Sequence, residues 1–360
     1  MSVEKVKYLI IGNSAGGIGA AEAIREVDRE CPLSIVSGEP YPAYSRPRIA
    51  DYLAKRCPLE GMLFRPTRFY AENNVRTYLG KKVVSLSLET HTARLAGGEE
   101  IGWEQLLLAT GGVAIIPPLA GIEKNGVFTF TTLDDAVSID RSLRSDSSAA
   151  VIGGGLIGLS VTEALIRRGI RVTIVEKEEC LLSVMLDEIA SLREESALRQ
   201  AGVNVITGHM VTSINGDADR VNSVTLDDAS LIPSDLVIIA AGVRSAIELV
   251  NGTGIKVGRG ITVDRHMQTS WPGVYSCGDV AEAFDFITND TAVTPVWPNA
   301  YLGGRVAGLN MAGVATEYPG GTLVNSLKYF GVDILSAGIV NPPDSSYEVL
   351  SGEHGDCLCR

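Results

Sequence analysis

The sequence predicts an α/β protein with two doubly wound parallel-sheet units, the second inserted into the first. Three observations predict it. A strand, glycine turn, helix and strand follow one another twice. Further short apolar runs end in glycine. Glycine itself is abundant, at 39 of 360 residues, as several tight strand-to-helix turns require.

The first copy begins with an apolar strand at residues 5–11 (KVKYLII). A glycine turn follows at 12–19 (GNSAGGIG), then a helix at 20–29 and a strand at 33–37. The second copy runs from a strand at 149–152 through the turn 153–158 (GGGLIG) to a helix at 159–168 and a strand at 171–176. This order and length make a βαβ nucleotide-binding unit. Two more apolar runs, 105–109 (QLLLA) and 236–241 (LVIIAA), end in Thr110-Gly111-Gly112 and in Gly242. Parallel strands covered on both faces read this way. Pro117-Pro118 and the polar stretch 144–148 flank a domain crossing. The expected division is a discontinuous first domain at 1–114 and 244–324, an inserted domain at 115–243, and a short C-terminal segment at 325–360.

A net charge of -12 argues against nucleic acid, which needs a clustered basic face, and against an anionic membrane surface. The chain enters a strand within about ten residues, so no signal peptide is expected. Its apolar stretches are too short and glycine-broken to span a bilayer. Six cysteines without a disulfide spacing point to a reducing cytoplasm. His91, His209, His266 and His354 are dispersed, and no metal is assigned. Cys277 reads as a small buried hydrophobe, and Cys357-Leu358-Cys359 as an unstructured tail. The oligomeric state stays open.

Each glycine turn carries a dinucleotide chemistry. One glycine permits the turn, one admits the pyrophosphate, and one allows close helix–strand packing. In the first copy Gly12 and Gly17 fill the outer places. Ser14 holds the middle one, where its hydroxyl can bond a phosphate oxygen; Gly16 lies beside them. The helix N-terminus offers free amides and partial positive charge to the anion. Glu39, close to the expected interval beyond the turn, can accept two ribose hydroxyls. In the second copy Gly153, Gly155 and Gly158 complete the pattern, with Leu156 and Ile157 between them. Glu176 ends the next strand and would repel a 2′-phosphate, which favours NADH over NADPH; the adjacent Lys177 slightly weakens that preference.

Nearly the whole chain resembles the pyridine nucleotide–disulfide oxidoreductases. It looks most like the branch of rubredoxin reductases, ferredoxin reductases and the FAD/NAD module of NADH-dependent nitrite reductases. The segments that carry the likeness are Tyr44-Ser45-Arg46-Pro47, Leu108-Ala109-Thr110-Gly111, residues 127–136, the run 272–279 ending in Cys277-Gly278-Asp279, and Trp297-Pro298-Asn299-Ala300. The resemblance implies two Rossmann-like domains of glutathione-reductase type, FAD in the first and NAD(H) in the second. It implies that Arg46, Pro47, Ala109, Thr110 and Gly111 lie at the flavin, and that Asp279 bonds the ribityl chain after Gly278. Trp297 then opens a helix toward the flavin pyrimidine, Val83 meets the adenine side, and Gly242 closes the NAD site.

Several departures refine this. The segment 44–50 lacks the redox cysteine of disulfide-reducing members, and Cys57 lies further on. Asp51 and Ser160 stand where ferredoxin-reductase relatives often have a lysine and a glutamate, and Thr131 where some have an arginine. The C-terminal domain of the relatives is expected here in shortened form, which would leave the flavin edge open to a partner. The expected reaction is hydride transfer from NADH to FAD with no acid–base side chain. Electrons then pass to an iron–sulfur protein such as rubredoxin or ferredoxin, or to an iron–sulfur subunit. The alternatives are an NADH oxidase that makes hydrogen peroxide and a non-catalytic flavin-binding subunit of a larger complex.

Overall fold

The computed structural model describes residues 4–217, 219–342, 346–348, 350–354 and 357–359. Contacts divide the chain into two compact units. The first comprises Met1–Pro47, Pro58–Val113 and Val243–Leu323. The second comprises Arg48–Cys57, Ala114–Gly242 and Val324–Arg360. Both the internal segment Arg48–Cys57 and the C-terminal segment therefore belong with the second unit.

The first unit is organised around the parallel strands Glu4–Ile11, Leu33–Ser37, Val75–Leu79 and Glu100–Leu108. Alternate residues of the first strand face opposite ways, as the period of a strand demands. Tyr8 and Ile10 enter one core with Ile18, Ile24 and Val306. Leu9 and Ile11 enter the other with Leu106, Leu108 and Trp103. The strand Glu100–Leu108 has neighbours on both sides. Glu4–Ile11 runs along one edge, and Thr92–Leu95 and Val274–Ser276 share the other.

The helix after the first turn spans Ala15–Val27, five residues earlier than the sequence suggests. Gly16, Gly17 and Gly19 lie inside it, because these glycines serve close approach more than turning. A Cβ on Gly304, in the helix Trp297–Met311, would collide with the backbone of Gly16. One on Gly308 would stand 2.5 Å from the Ala20 carbonyl oxygen, and one on Gly19 2.5 Å from that of Tyr301. The two helices thus meet backbone to backbone.

The second unit holds a five-stranded parallel sheet in the spatial order Asn204–Ile206, Arg171–Val175, Ser148–Ile152, Leu236–Ile239, Val127–Thr129. The antiparallel strands Val211–Asp217, Arg220–Leu226 and Leu231–Pro233 pack a core of Val211, Ile214, Val221 and Val224 against Ala150, Val175, Val237 and Ile239 of that sheet. Its glycine-turn helix spans Leu156–Arg167, again starting earlier than expected. The tail takes a different form from the expected one. Gly352–His354 and Cys357–Cys359 pair as an antiparallel hairpin, with Cys359 exposed. Among the described residues no helix is long and apolar enough to cross a membrane.

The helix Glu188–Gln200 buries Glu194 completely, beside Ser191 and Leu198. Among the described residues neither of its carboxylate oxygens has a hydrogen-bond partner. Burial, with a smaller push from Glu163, raises its pKa to about 7 from 4.5. Ionisation therefore costs the fold increasingly as pH climbs between those two values, and the cost stays constant above them. It reaches about 3 kcal/mol.

Two outcomes follow. Gly304→Ala forces the paired helices apart and lowers unfolding free energy by about 1–3 kcal/mol in urea titration. Glu194→Gln flattens the decline of stability between pH 5 and 7 and leaves the variant more stable than wild type at pH 8, measured by thermal unfolding across pH.

Candidate nucleotide sites

In the first unit the carboxyl ends of the parallel strands bring the expected residues to one edge. Ile11 pairs with both Val36 and Leu108, and Leu108 with Ser276. The next residues of each strand, Gly12, Ser37, Ala109 and Cys277, are locked in step. The amide of Gly12 donates to Val36, that of Ala109 to Ile11, and that of Cys277 to Leu108. Ligands of open α/β sheets bind in the crevice beyond such strand ends. Gly12 has φ 124, and a side chain there would run into the Ala109 carbonyl oxygen. A side chain on Gly17 would run into the carbonyl of Gly12. The turn therefore closes without room for a Cβ.

Ser14 is the N-cap of the helix Ala15–Val27 but makes no side-chain cap bond, so its hydroxyl is not spent on the helix amides. Glu39 follows the second strand. Its carboxylate accepts the Tyr44 hydroxyl at 2.5 Å on one oxygen and the Arg46 guanidinium on the other. Arg46 also stacks over the Tyr44 ring. Pro47 is the last residue of this part of the unit. Burial pushes the Asp279 carboxyl up, and the nearby Arg46 guanidinium pulls against it. Gly278 takes φ 74 with Ala300 close by, and Gly111 takes φ 74 facing open space. The Thr110 hydroxyl donates to the Ala246 carbonyl at 3.0 Å.

The loop before Val83 folds back on the same edge. The amide of Gly80 donates to the Glu39 carbonyl and that of Lys81 to the Ser37 carbonyl. Val83 itself is buried. Trp297 opens the helix Trp297–Met311 and meets Phe64 edge to face. The thiol of Cys277 is fully buried, and burial pushes it up to about 12, too high for thiolate chemistry.

The second unit repeats the arrangement. Ile152 pairs with Val175 and with Ile239. Gly153 donates to Val175, Glu176 to Ile206, and Ala240 to Ile152. Gly153 has φ 113 against the Ala240 carbonyl, and a side chain on Gly158 would strike the Gly153 carbonyl. Gly155 caps the helix that Leu156 and Ile157 begin, and its Cα faces open space. Glu176 folds over the turn. One carboxylate oxygen accepts the Gly154 amide at 2.5 Å and the other the Glu178 amide at 2.9 Å. Gly242 takes φ 109 at the end of the fourth strand.

The two departures Asp51 and Ser160 prove to be neighbours. The helices Ile49–Leu53 and Leu156–Arg167 pack together in this unit, and both residues line one small cleft with Arg56 and Glu163. Asp51 is ion-paired to Arg48 at 3.3 Å and Arg56 at 3.6 Å. Tyr329 donates to the Leu156 carbonyl at 3.4 Å in the same helix as Ser160. Thr131 donates its amide to Asp135, the residue that completes a capping box with Thr132. Sequence spacing missed one grouping. His209, Asp227 and Asp228 bring ligand-type atoms within 4.8 Å of one another, with His209 Nδ1 2.8 Å from Asp227. Its hydrogen bond to the Asp227 carboxylate raises the His209 pKa.

The family model described as pyridine nucleotide-disulphide oxidoreductase matches residues 6–304. The chain belongs to that family. Its fold is accordingly a pair of Rossmann-like units, one for FAD and one for a pyridine nucleotide. Among curated relatives it is similar to the epsilon subunit of an NADH-dependent phenylglyoxylate dehydrogenase of Aromatoleum evansii, 34% identical over 95% of this chain and 82% of that one. It is 31% identical to a nitrite reductase [NAD(P)H] of Bacillus subtilis, matching 99% of this chain but 44% of that longer protein. Among solved structures it superposes on an NADH:rubredoxin oxidoreductase of Clostridium acetobutylicum with a TM-score of 0.83 and 27% identity, over 99% of this chain and 87% of that one.

Because Glu176 ties the Gly154 amide of the glycine turn and the Glu178 amide just beyond its own strand, Glu176→Ala removes two charge-assisted hydrogen bonds. The expected loss is about 2–4 kcal/mol, read as a lower unfolding midpoint of the nucleotide-free protein.

Proposed function

We propose that this chain is an FAD-dependent NADH oxidoreductase whose electrons pass to an iron–sulfur protein or subunit. The observation that carries the reading is the repetition of one geometry. In each unit a glycine turn without room for a Cβ and a glutamate beyond the next strand stand at the carboxyl edge of a parallel sheet. The names of the relatives support the acceptor. One is a subunit of an NADH-dependent dehydrogenase, and another acts on rubredoxin.

The groups fit. Flavin, when bound, supplies two-electron uptake from a reduced nicotinamide and one-electron release. The chain supplies position and field. The first-turn amides of the helix Ala15–Val27 and the free hydroxyl of Ser14 hold the pyrophosphate, where Gly12, Gly16 and Gly17 admit the backbone. Glu39 accepts ribose hydroxyls in an orientation set by Tyr44 and Arg46. Gly278 and Asp279 hold the ribityl hydroxyls. Pro47, Ala109, Thr110 and Gly111 line the ring, Val83 the adenine. The N-terminus of the helix opened by Trp297 favours negative charge on the pyrimidine. In the second unit Gly153, Gly155 and Gly158 admit the second pyrophosphate to the amides of Leu156 and Ile157, with Gly242 opposite. Glu176 selects a free 2′-hydroxyl, hence NADH. The segment 44–50 has no cysteine, so this segment would supply no thiol relay beside a bound flavin.

Anaerobic titration of the FAD-loaded protein with NADH bleaches its visible absorption in one equivalent. NADPH is weaker by on the order of tenfold, worth about 1.4 kcal/mol. Reoxidation is fast with rubredoxin or ferredoxin and slow with oxygen. A colourless protein that takes up no FAD on reconstitution refutes the reading. Fast peroxide formation without stimulation by iron–sulfur proteins makes it an oxidase instead.

A further inference from the structure

On the reading above, the adenosine half of FAD meets two separate pieces of the first unit. The glycine turn receives the pyrophosphate, and Glu39 receives the ribose. The peptide around Glu39 must therefore keep a fixed place relative to the turn. Between Ser37 and Arg46 that peptide belongs to no helix or strand, so a backbone ladder cannot fix it.

One hydroxyl ties the two pieces together. Tyr70 donates to Asn13 Oδ1 at 2.9 Å, and its oxygen accepts the Ala43 amide at 2.8 Å. Asn13 stands between Gly12 and Ser14 in the turn. Its own side-chain nitrogen donates to the Tyr41 carbonyl at 3.3 Å. Ala43 is followed by Tyr44, whose hydroxyl donates to Glu39. A chain of contacts thus runs from the turn, through Tyr70, to the residues that hold Glu39. Burial pushes the Tyr70 phenol up, so the hydroxyl keeps the proton it donates.

The Tyr70 ring is held independently of these bonds. It lies in the short helix Phe69–Glu72, whose Phe69 is buried in the core with Ile35 and Val75. The Phe69 ring meets it edge to face. Just beyond this helix, Arg25 donates to the carbonyls of Asn73 at 2.7 Å and Asn74 at 2.9 Å. Arg25 comes from the helix Ala15–Val27, which the glycine turn opens. The hydroxyl is therefore carried on a support fixed to the turn's own helix.

We infer that Tyr70 is a positioning residue for the adenosine half of FAD: its hydroxyl sets the spacing between the pyrophosphate turn and the ribose glutamate. The inference rests on the flavin assignment above. Tyr70 acts through Asn13 and Ala43, not on the cofactor.

The test uses the full chain, free of FAD, with Tyr70→Phe, which keeps the ring and removes the hydroxyl. FAD uptake is followed by flavin fluorescence. ADP is measured as a competitor of that uptake, so that its binding to the second unit does not count. Both ligands bind about tenfold more weakly to the variant, the loss that one or two hydrogen bonds can carry. ADP has the pyrophosphate and ribose but no flavin, so an equal loss places the effect in the adenosine half. A merely structural bond would lower the unfolding midpoint and leave both affinities as they were. That result overturns the inference, and so does a loss for FAD alone. Coupling gives a second readout. Asn13→Ala weakens ADP competition in the wild-type background and weakens it less in the Tyr70→Phe background. Fully additive losses overturn the inference. Should Tyr70→Phe fail to fold, Asn13→Ala alone decides: weaker ADP competition supports the inference and unchanged competition overturns it. A wild-type chain that takes up no FAD refutes the functional reading and this inference with it. A wild type that takes up FAD beside an equally competent variant removes the inference alone.

Discussion

The backbone contact between the helices Ala15–Val27 and Trp297–Met311 is the constraint on which the first unit depends. Both helices begin at the edge where the strands end, so their separation decides where two helix N-termini stand. Gly16, Gly19, Gly304 and Gly308 bring them as near as two helices can come. A single methyl at Gly304 meets main chain, which cannot rotate aside as a side chain can. The cost of glycine inside a helix, about 1 kcal/mol each, is accepted for placement.

The second unit solves a similar problem with charge. Its turn is covered by the carboxylate of Glu176, which satisfies the Gly154 amide of the turn and the Glu178 amide just after itself. Glu39 in the first unit is engaged differently, by Tyr44 and Arg46 from the following segment. The two acidic residues stand at equivalent places, yet one stiffens its own turn and the other organises the residues that follow it.

Much of this was legible in the sequence. The duplicated strand–turn–helix order and the two glutamates follow from spacing, because strand period and turn sterics are local, while the Asp279 signature comes from the family resemblance. Helix starts were not. Gly16, Gly17 and Gly19 read as breakers; Gly16 and Gly19 instead admit a helix almost three hundred residues away, and Gly17 admits the Gly12 carbonyl of its own turn. The place of Arg48–Cys57 was hidden for the same reason: the spacing of Ile49 and Leu53 implies a buried face but not which unit buries it. Asp51 and Ser160 could be noted as departures but not as neighbours. Glu194 lies in a helix of charged residues, where a carboxylate ordinarily faces water, and its complete burial is visible only in three dimensions.

The strand Glu100–Leu108 has a consequence for how the molecule is made. Its free edge is filled by Val274–Ser276, whose bonding partners lie 168 positions earlier. On the ribosome that edge must wait while the intervening polypeptide emerges. At about 5–20 residues per second the delay is on the order of ten seconds or more. The nascent sheet is thus left with an apolar, unpaired border while residues 109–273 are made, and this border is the surface a chaperone would have to guard.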